Sequence, residues 1–187
     1  IKIKGVPLIE YTINFAKKLK IKNIFISTDG KMIKNIANKN KTIVIKKQGQ
    51  NSDIIKAMIT YMPNAVYQAN KRASIFKGKN DLETCSNIWS FLKHNIKYVE
   101  DSVHFQDIRL PDRLVKDRKG DCKSFSMFTA GILQNLGIPC RLVFTSYTDN
   151  RTPQHVYVET NGGIIIDAVW KKFNSEKPYT YKYYKSI

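Results

Sequence analysis

No run of eighteen consecutive apolar residues occurs in this sequence, which argues against a membrane-spanning helix. No signal peptide is visible, although the chain opens on Ile1 rather than Met. Cysteine is scarce and odd in number: Cys85, Cys122 and Cys140, with no C-x-x-C pair. That argues against a disulfide framework and against a structural zinc site, and it fits a reducing compartment. The three histidines, His94, His104 and His155, lack ligand spacing, so neither a metal nor any other cofactor is expected. A D-x-D-x-D-G calcium loop is also missing.

Acidic residues are few. Lys and Arg total 32 against 15 Asp and Glu, a net charge of +17. The excess is concentrated at the start: residues 1–50 hold twelve lysines against Glu10 and Asp29, a net +10. Such a field attracts nucleic acid, acidic protein surfaces or anionic lipid, and it weakens with salt. The same lysines, scattered and without an arginine-rich recognition helix, equally describe a surface that is merely well solvated. Hydrophobic residues make up 42% of the 187, enough to bury a real core.

Periodicity divides the chain. Residues 8–19 carry helical spacing, 23–27 and 42–45 are strand candidates, and 31–38 again reads as helix. This α/β rhythm ends at a polar linker around Gly49. Residues 52–77 are mostly helical, with an interruption expected at Met62-Pro63, because proline disfavours helix in the residue before it. Asn80 or Asp81 can cap a further helix with Ile88, Phe91, Leu92 and Ile96 on its apolar face. Residues 101–121 read as a long loop. A helix from Asp121 or Cys122 to Leu136 follows, ended by Gly137 with Pro139 beyond. Three strands complete the order, at 141–148, 155–160 and 163–169. The tail from Lys171 is rich in tyrosine and lysine and carries no assignment. Helices followed by an antiparallel sheet make an α+β fold.

A cysteine nucleophile requires help with deprotonation, a base in reach and a third group that fixes the base. Cys122 stands at a helix start, where unpaired N–H groups and the helix dipole favour a thiolate and could bind an oxyanion. Gly120 is read as allowing a tight turn before it. Arg118, Lys119 and Lys123 add positive charge, which Asp121 opposes. Asn161-Gly162 is a hairpin signal. With the turn placed there, positions summing to 322 or 323 face each other, so His155 pairs with 167 or 168. His155 and Asp167 then lie side by side, and a carboxylate beside an imidazole fixes its tautomer. Cys85 and Cys140 read as core residues, and His94 and His104 as non-catalytic.

Gly120-Asp121-Cys122-Lys123-Ser124-Phe125, running on to Leu136-Gly137-Ile138-Pro139-Cys140-Arg141, resembles the nucleophile helix and following strand of the transglutaminase-like superfamily. His155-Val156-Tyr157-Val158-Glu159 resembles its histidine strand, and Ile164-Ile165-Ile166-Asp167 the strand that ends in the triad aspartate. The helix with Trp89, Phe91 and Leu92 is similar to the one before the nucleophile loop. The resemblance covers residues 80–173. Phage and prophage members are most similar, above all in Asp117-Arg118-Lys119-Gly120-Asp121-Cys122. It implies a papain-like core with the nucleophile helix packed on an antiparallel sheet. It also implies a Cys122-His155-Asp167 triad that cleaves amides through a thioester.

On that resemblance the substrate is a protein or peptide, phage structural proteins are possible partners, and the setting is cytoplasmic or virion-associated. Hydrolysis is favoured over cross-linking because the calcium loop is missing, and a cross-linking or deamidating transglutaminase is the alternative. The alternative class is a non-catalytic basic structural or virion protein that keeps the fold; a third is a nucleic-acid-binding module. A Trp often follows the histidine in this family; here Tyr157 lies two residues on, a change of shape rather than chemistry. No oxyanion donor outside the helix is marked, and Gln106 is the candidate. Separately, Gly5-Val6-Pro7-Leu8-Ile9-Glu10-Tyr11-Thr12-Ile13 and Ser27-Thr28-Asp29 resemble a fragment of a sugar-nucleotide cytidylyltransferase, without its glycine-rich nucleotide loop. The expected organisation is a basic accessory α/β segment at 1–50, a helical connector at 51–79 and a catalytic core at 80–187.

Overall fold

The computed structural model of the chain describes residues 2–3, 6–21, 25–27, 43–45, 51–101 and 106–187. It divides into two compact units, Ile1–Asp53 and Ile54–Ile187. In the first, β1 (Lys2–Ile3) pairs antiparallel with β2 (Val6–Pro7), and α1 (Leu8–Lys18) follows directly. Glu10 in the first turn of α1 and Lys17 and Lys18 in the last complement the helix dipole. Two further strands, β3 (Phe25–Ser27) and β4 (Ile43–Ile45), pair in parallel. The helix expected at 31–38 and the linker at Gly49 lie outside the described residues.

The helix α2 (Asn51–Ala73) carries Pro63 in its interior and continues through it, so the interruption expected at Met62-Pro63 does not occur. Met58, Met62, Ala65, Ala69 and Ala73 recur at three- and four-residue spacing and are all buried. Packing of that stripe outweighs a local penalty of about 3 kcal/mol for an interior proline. Next comes α3 (Asp81–Asn95), capped by Asn80, whose Oδ1 accepts the Glu83 N–H at 2.9 Å. Its buried face is Thr84, Cys85, Ile88 and Leu92.

The segment read as a loop at 101–121 contains a helix, α4 (Pro111–Asp117). Proline at the first helical position loses no hydrogen bond there and presets φ, so Pro111 marks a start rather than a break. Arg118 ends α4 in the left-handed region, with φ at 49°. Two short strands, β5 (Lys97–Tyr98) and β6 (Lys119–Gly120), pair in parallel on either side of it.

Helix α5 (Cys122–Asn135) is a core element: every residue from Lys123 to Leu133 is buried. Phe128 stacks on Phe91 at 5.6 Å and meets Phe76 edge-on at 5.7 Å. Where α5 crosses α2, a Cβ on Gly131 would stand 2.9 Å from the Ala65 carbonyl oxygen. Gly131→Ala therefore forces backbone apart, and we expect a loss of about 1–3 kcal/mol, read as a lower urea midpoint with unchanged slope.

The sheet is antiparallel, in the order β10 (Tyr181–Ser186), β7 (Cys140–Ser146), β8 (His155–Thr160), β9 (Ile165–Ile166). The unassigned tail thus supplies β10, six residues paired with β7. The turn between β8 and β9 is longer than the Asn161-Gly162 reading. Thr160 N–H bonds the Ile164 carbonyl at 3.0 Å, Gly163 N–H bonds the Thr160 carbonyl at 2.9 Å, and Gly163 takes φ of 81°. This is a three-residue loop with glycine in the left-handed position. Facing positions accordingly sum to 324, as in Val158↔Ile166, rather than 322 or 323. The fold is α+β, with α5 packed on the sheet. Among the described residues no helix is long and apolar enough to cross a membrane.

Candidate active site

Cys122 begins α5 and is half-buried, directly after the buried cap Asp121. Asp121 Oδ1 accepts from the Ser124 N–H at 3.1 Å and from the Ser124 hydroxyl at 3.0 Å. This is the side-chain cap that lets a helix start where it does. Gly120 has a packing role rather than the expected turning one. A Cβ there would meet Leu114 Cδ1 at 2.5 Å and Ser124 Cβ at 3.1 Å, so its bare backbone admits α4 beside the start of α5.

The charge around Cys122 differs from the sum of its neighbours in sequence. Arg118 and Lys119 are exposed, whereas Lys123 is only 6% exposed. Lys123 Nζ forms a buried ion pair with Asp121, lies 3.4 Å from Asp101 and donates to Gln106 Oε1 at 2.8 Å. Burial disfavours its charge, but the Asp121 carboxylate, with Cys122 and Asp101, holds the pKa above the ordinary lysine value. An ammonium only donates, so it engages the oxygen of the Gln106 amide and turns the amide N–H groups away from itself. Asp121 is thus neutralised by Lys123 rather than set against it.

His155 opens β8 and is 8% exposed; Asp167 lies just beyond β9 and is 3% exposed. The two meet through Nε2 and Oδ2 at 2.8 Å. In the observed register position 167 falls opposite 157, and 155 is on the same face as 157, so the contact is diagonal rather than directly across the ladder. The second carboxylate oxygen, Oδ1, accepts the backbone N–H of Val169 at 3.0 Å and of Trp170 at 3.3 Å.

Cys122 lies close enough to the His155 ring to act on its charge. Burial opposes a charged ring, but the hydrogen bond to Asp167 and the negative charge of Asp167 and Cys122 raise its pKa from 6.5 to about 10. The buried carboxylate beside Nε2 thus favours the charged form of the ring. The structure brings Cys122, His155 and Asp167 together, with Gln106 on the Lys123 side of the same helix start. His94 bonds Ser90 on its own helix, and His104 lies outside the described residues.

Several supporting residues escape a reading of the sequence. Trp89 Nε1 donates to the Asp167 carbonyl at 2.9 Å. Lys93 Nζ lies 2.9–3.3 Å from the carbonyls of Ala168, Val169 and Trp170, so α3 holds the turn that carries the aspartate. Ser126 Oγ, 2.8 Å from the Cys122 carbonyl and 3.1 Å from that of Val156, ties the helix start to the histidine strand. Tyr147 stacks on His155 with ring centroids 6.3 Å apart. The spacing of Trp89 and Lys93, four residues apart on one helix face, was the signal available for those two. Nothing local marks Ser126 or Tyr147.

The sequence model of the transglutaminase-like superfamily matches residues 68–175. Among solved structures, a candidate cysteine protease from Cytophaga hutchinsonii is 22% identical, with a TM-score of 0.44, over 57% of this chain and 37% of that one. A candidate protease from Parabacteroides distasonis is 14% identical, with a TM-score of 0.49, over 59% of this chain and 24% of that one. Calcium-bound LapG from Legionella pneumophila is 16% identical, with a TM-score of 0.45, over 67% of this chain and 76% of that one. The chain thus spans about a quarter to three quarters of the length of these proteins. No curated protein sequence matches.

Proposed function

Because the chain belongs to the transglutaminase-like superfamily, we propose that it is a cysteine-dependent amide hydrolase acting on a protein or peptide, with Cys122, His155 and Asp167 as its triad. The observation that carries this reading is a buried imidazole hydrogen-bonded to a buried carboxylate, with a helix-start thiol near enough to act on the charge of the ring. The Cys122 thiolate attacks the carbonyl carbon of the amide, and the negative charge moves to the carbonyl oxygen. First-turn N–H groups of α5, with the Gln106 amide from outside the helix, receive that oxyanion. The imidazolium then gives its Nδ1 proton to the leaving nitrogen, the C–N bond breaks, and a thioester remains on Cys122. Water attacks the thioester, neutral His155 takes its proton, and the acid leaves as the thiolate is restored. Asp167 keeps the ring in place and stabilises its charge throughout. An amine in place of water would give cross-linking, and a glutamine amide as substrate would give deamidation.

Iodoacetamide labelling of the native protein at pH 6.5, mapped by mass spectrometry, tests the reading. All three cysteines are unpaired thiols, so they serve as internal controls. Burial, with the negative charge of Asp81, pushes the Cys85 thiol up to about 12, and burial beside Cys85 does the same to Cys140. Both are essentially without thiolate at that pH, so Cys122 should react at least about a thousandfold faster. Comparable rates at all three would remove the basis for a catalytic Cys122.

A further inference from the structure

The tail beyond Asp167 takes no part in the proposed chemistry, yet one segment of it is pinned beside the histidine. Glu176 accepts a hydrogen bond from the Tyr157 hydroxyl, and Lys182 Nζ lies 3.0 and 3.1 Å from its two oxygens. Tyr157 is itself a ring neighbour of His155, with centroids 5.9 Å apart. The clamp on Glu176 fixes the next residue, Lys177, so that its ammonium lies 4.0 Å from the centroid of the Tyr147 ring. Tyr147 in turn stacks on His155. Its phenol is raised by burial, offset by a bond from Thr145, and raised further by the charges of Asp167, Cys122 and Glu176, which places the ring within electrostatic reach of the nucleophile.

Lys177 is exposed, and it stands two ring contacts from the imidazole. The acid beside it, Glu176, is already matched by Lys182 and Tyr157, so it does not quench the ammonium. A cation held on an aromatic face keeps most of its charge available to a carboxylate arriving from solvent. Residues 171–187 carry five lysines and the single acid Glu176, so the surroundings reinforce the sign.

We infer that Lys177 is a specificity-determining residue, which draws a substrate with an acidic side chain near the scissile amide onto the Tyr147 rim of the site. This rests on Cys122 being the nucleophile. One charge at this range, partly in water, changes the local concentration of an anion by a modest factor, about two- to fivefold at low salt.

Alkylation of Cys122 by iodoacetate and by iodoacetamide, two probes of similar size that differ in charge, reads this directly. The quantity is the ratio of the two rates. In Lys177→Met the iodoacetate preference should fall about two- to fivefold, and further in Lys177→Glu, with the iodoacetamide rate unchanged. Lys172→Met, in the same tail, should leave the ratio as in wild type. The Lys177 effect should vanish at about 1 M salt, where the screening length falls to about 3 Å. An unchanged ratio in both Lys177 variants would overturn the inference, and so would an equal drop in Lys172→Met, which would indicate only a diffuse field. If neutral iodoacetamide fails to single out Cys122 in the wild type, the catalytic reading fails first and takes this one with it.

Discussion

His155→Ala slows the alkylation of Cys122 at pH 6.5 by about a hundredfold and abolishes amide turnover. An ordinary cysteine holds about 1% thiolate at that pH, whereas a thiol paired with an imidazolium can be almost wholly ionised, which sets the size of the effect. The ring bonds Asp167 and lies close to Cys122, so its removal takes away the proposed proton partner of the thiol and leaves the buried carboxylate with only its backbone donors. Labelling kinetics followed by mass spectrometry measure the first effect. A variant that labels as fast as wild type would dissociate the histidine from the thiol. The pH dependence carries a definite sign. The folded-state pKa of His155 is raised from 6.5 to about 10, so its contribution to stability is complete below pH 6.5 and is lost as the pH rises through about 10. Thermal melts of the wild type should decline across that window more steeply than those of His155→Ala.

The second large effect is on Asp167. Its carboxylate accepts from His155, from Val169 N–H and from Trp170 N–H, while its own carbonyl holds Trp89. Asp167→Ala leaves a buried cation and two backbone donors without their acceptor, and a loss of about 3–5 kcal/mol is expected in chemical denaturation. Asp167→Asn separates structure from chemistry. The amide oxygen can still accept from Val169 and Trp170, so most of the stability should return. The charge opposite the imidazolium does not return, so Cys122 labelling should stay at least tenfold slow. Recovery of both in the asparagine variant would make Asp167 a structural cap and no more.

The helix start was legible because its signals are local. A run of Phe125, Phe128, Ile132 and Leu133 at helical spacing, ended by Gly137, suffices to place α5 with Cys122 at its start. His155 and Asp167 were legible as a pair through the hairpin, but the register was not. Asn161-Gly162 marked the hairpin, but the turn is a three-residue loop that also takes in Gly163, which adopts the positive φ. Facing positions that sum to 324 rather than 322 make the contact diagonal rather than directly opposite, and both fit the same two side chains.

Pro63 and Pro111 show the opposite failure. Pro63 was read as an interruption and sits inside a helix held by its buried stripe, while Pro111 falls in a stretch read as loop and starts a helix. Lys123 was read as a nearby positive charge, but its burial was not legible, since a lysine in a helix turn is ordinarily solvated. Its burial depends on Asp101 and Gln106 arriving from twenty residues upstream. The tyrosine-rich tail shows no clear strand alternation because no residue of β10 is fully buried, although Tyr183 packs on Phe144 at the margin of the core.

The order of the sheet has a consequence for the protein in a crowded solution. Its two outermost strands are β10 and β9, and an exposed strand border is an invitation to pair with another chain. One border is only two residues long, too short to seed a ladder. The other carries Lys182 and Lys185, and like charges facing each other across a would-be intermolecular pair repel. The lysine-bearing tail thus also resists self-association, and deleting it would uncover six residues of β7, Arg141–Ser146, and leave an open strand as an aggregation template.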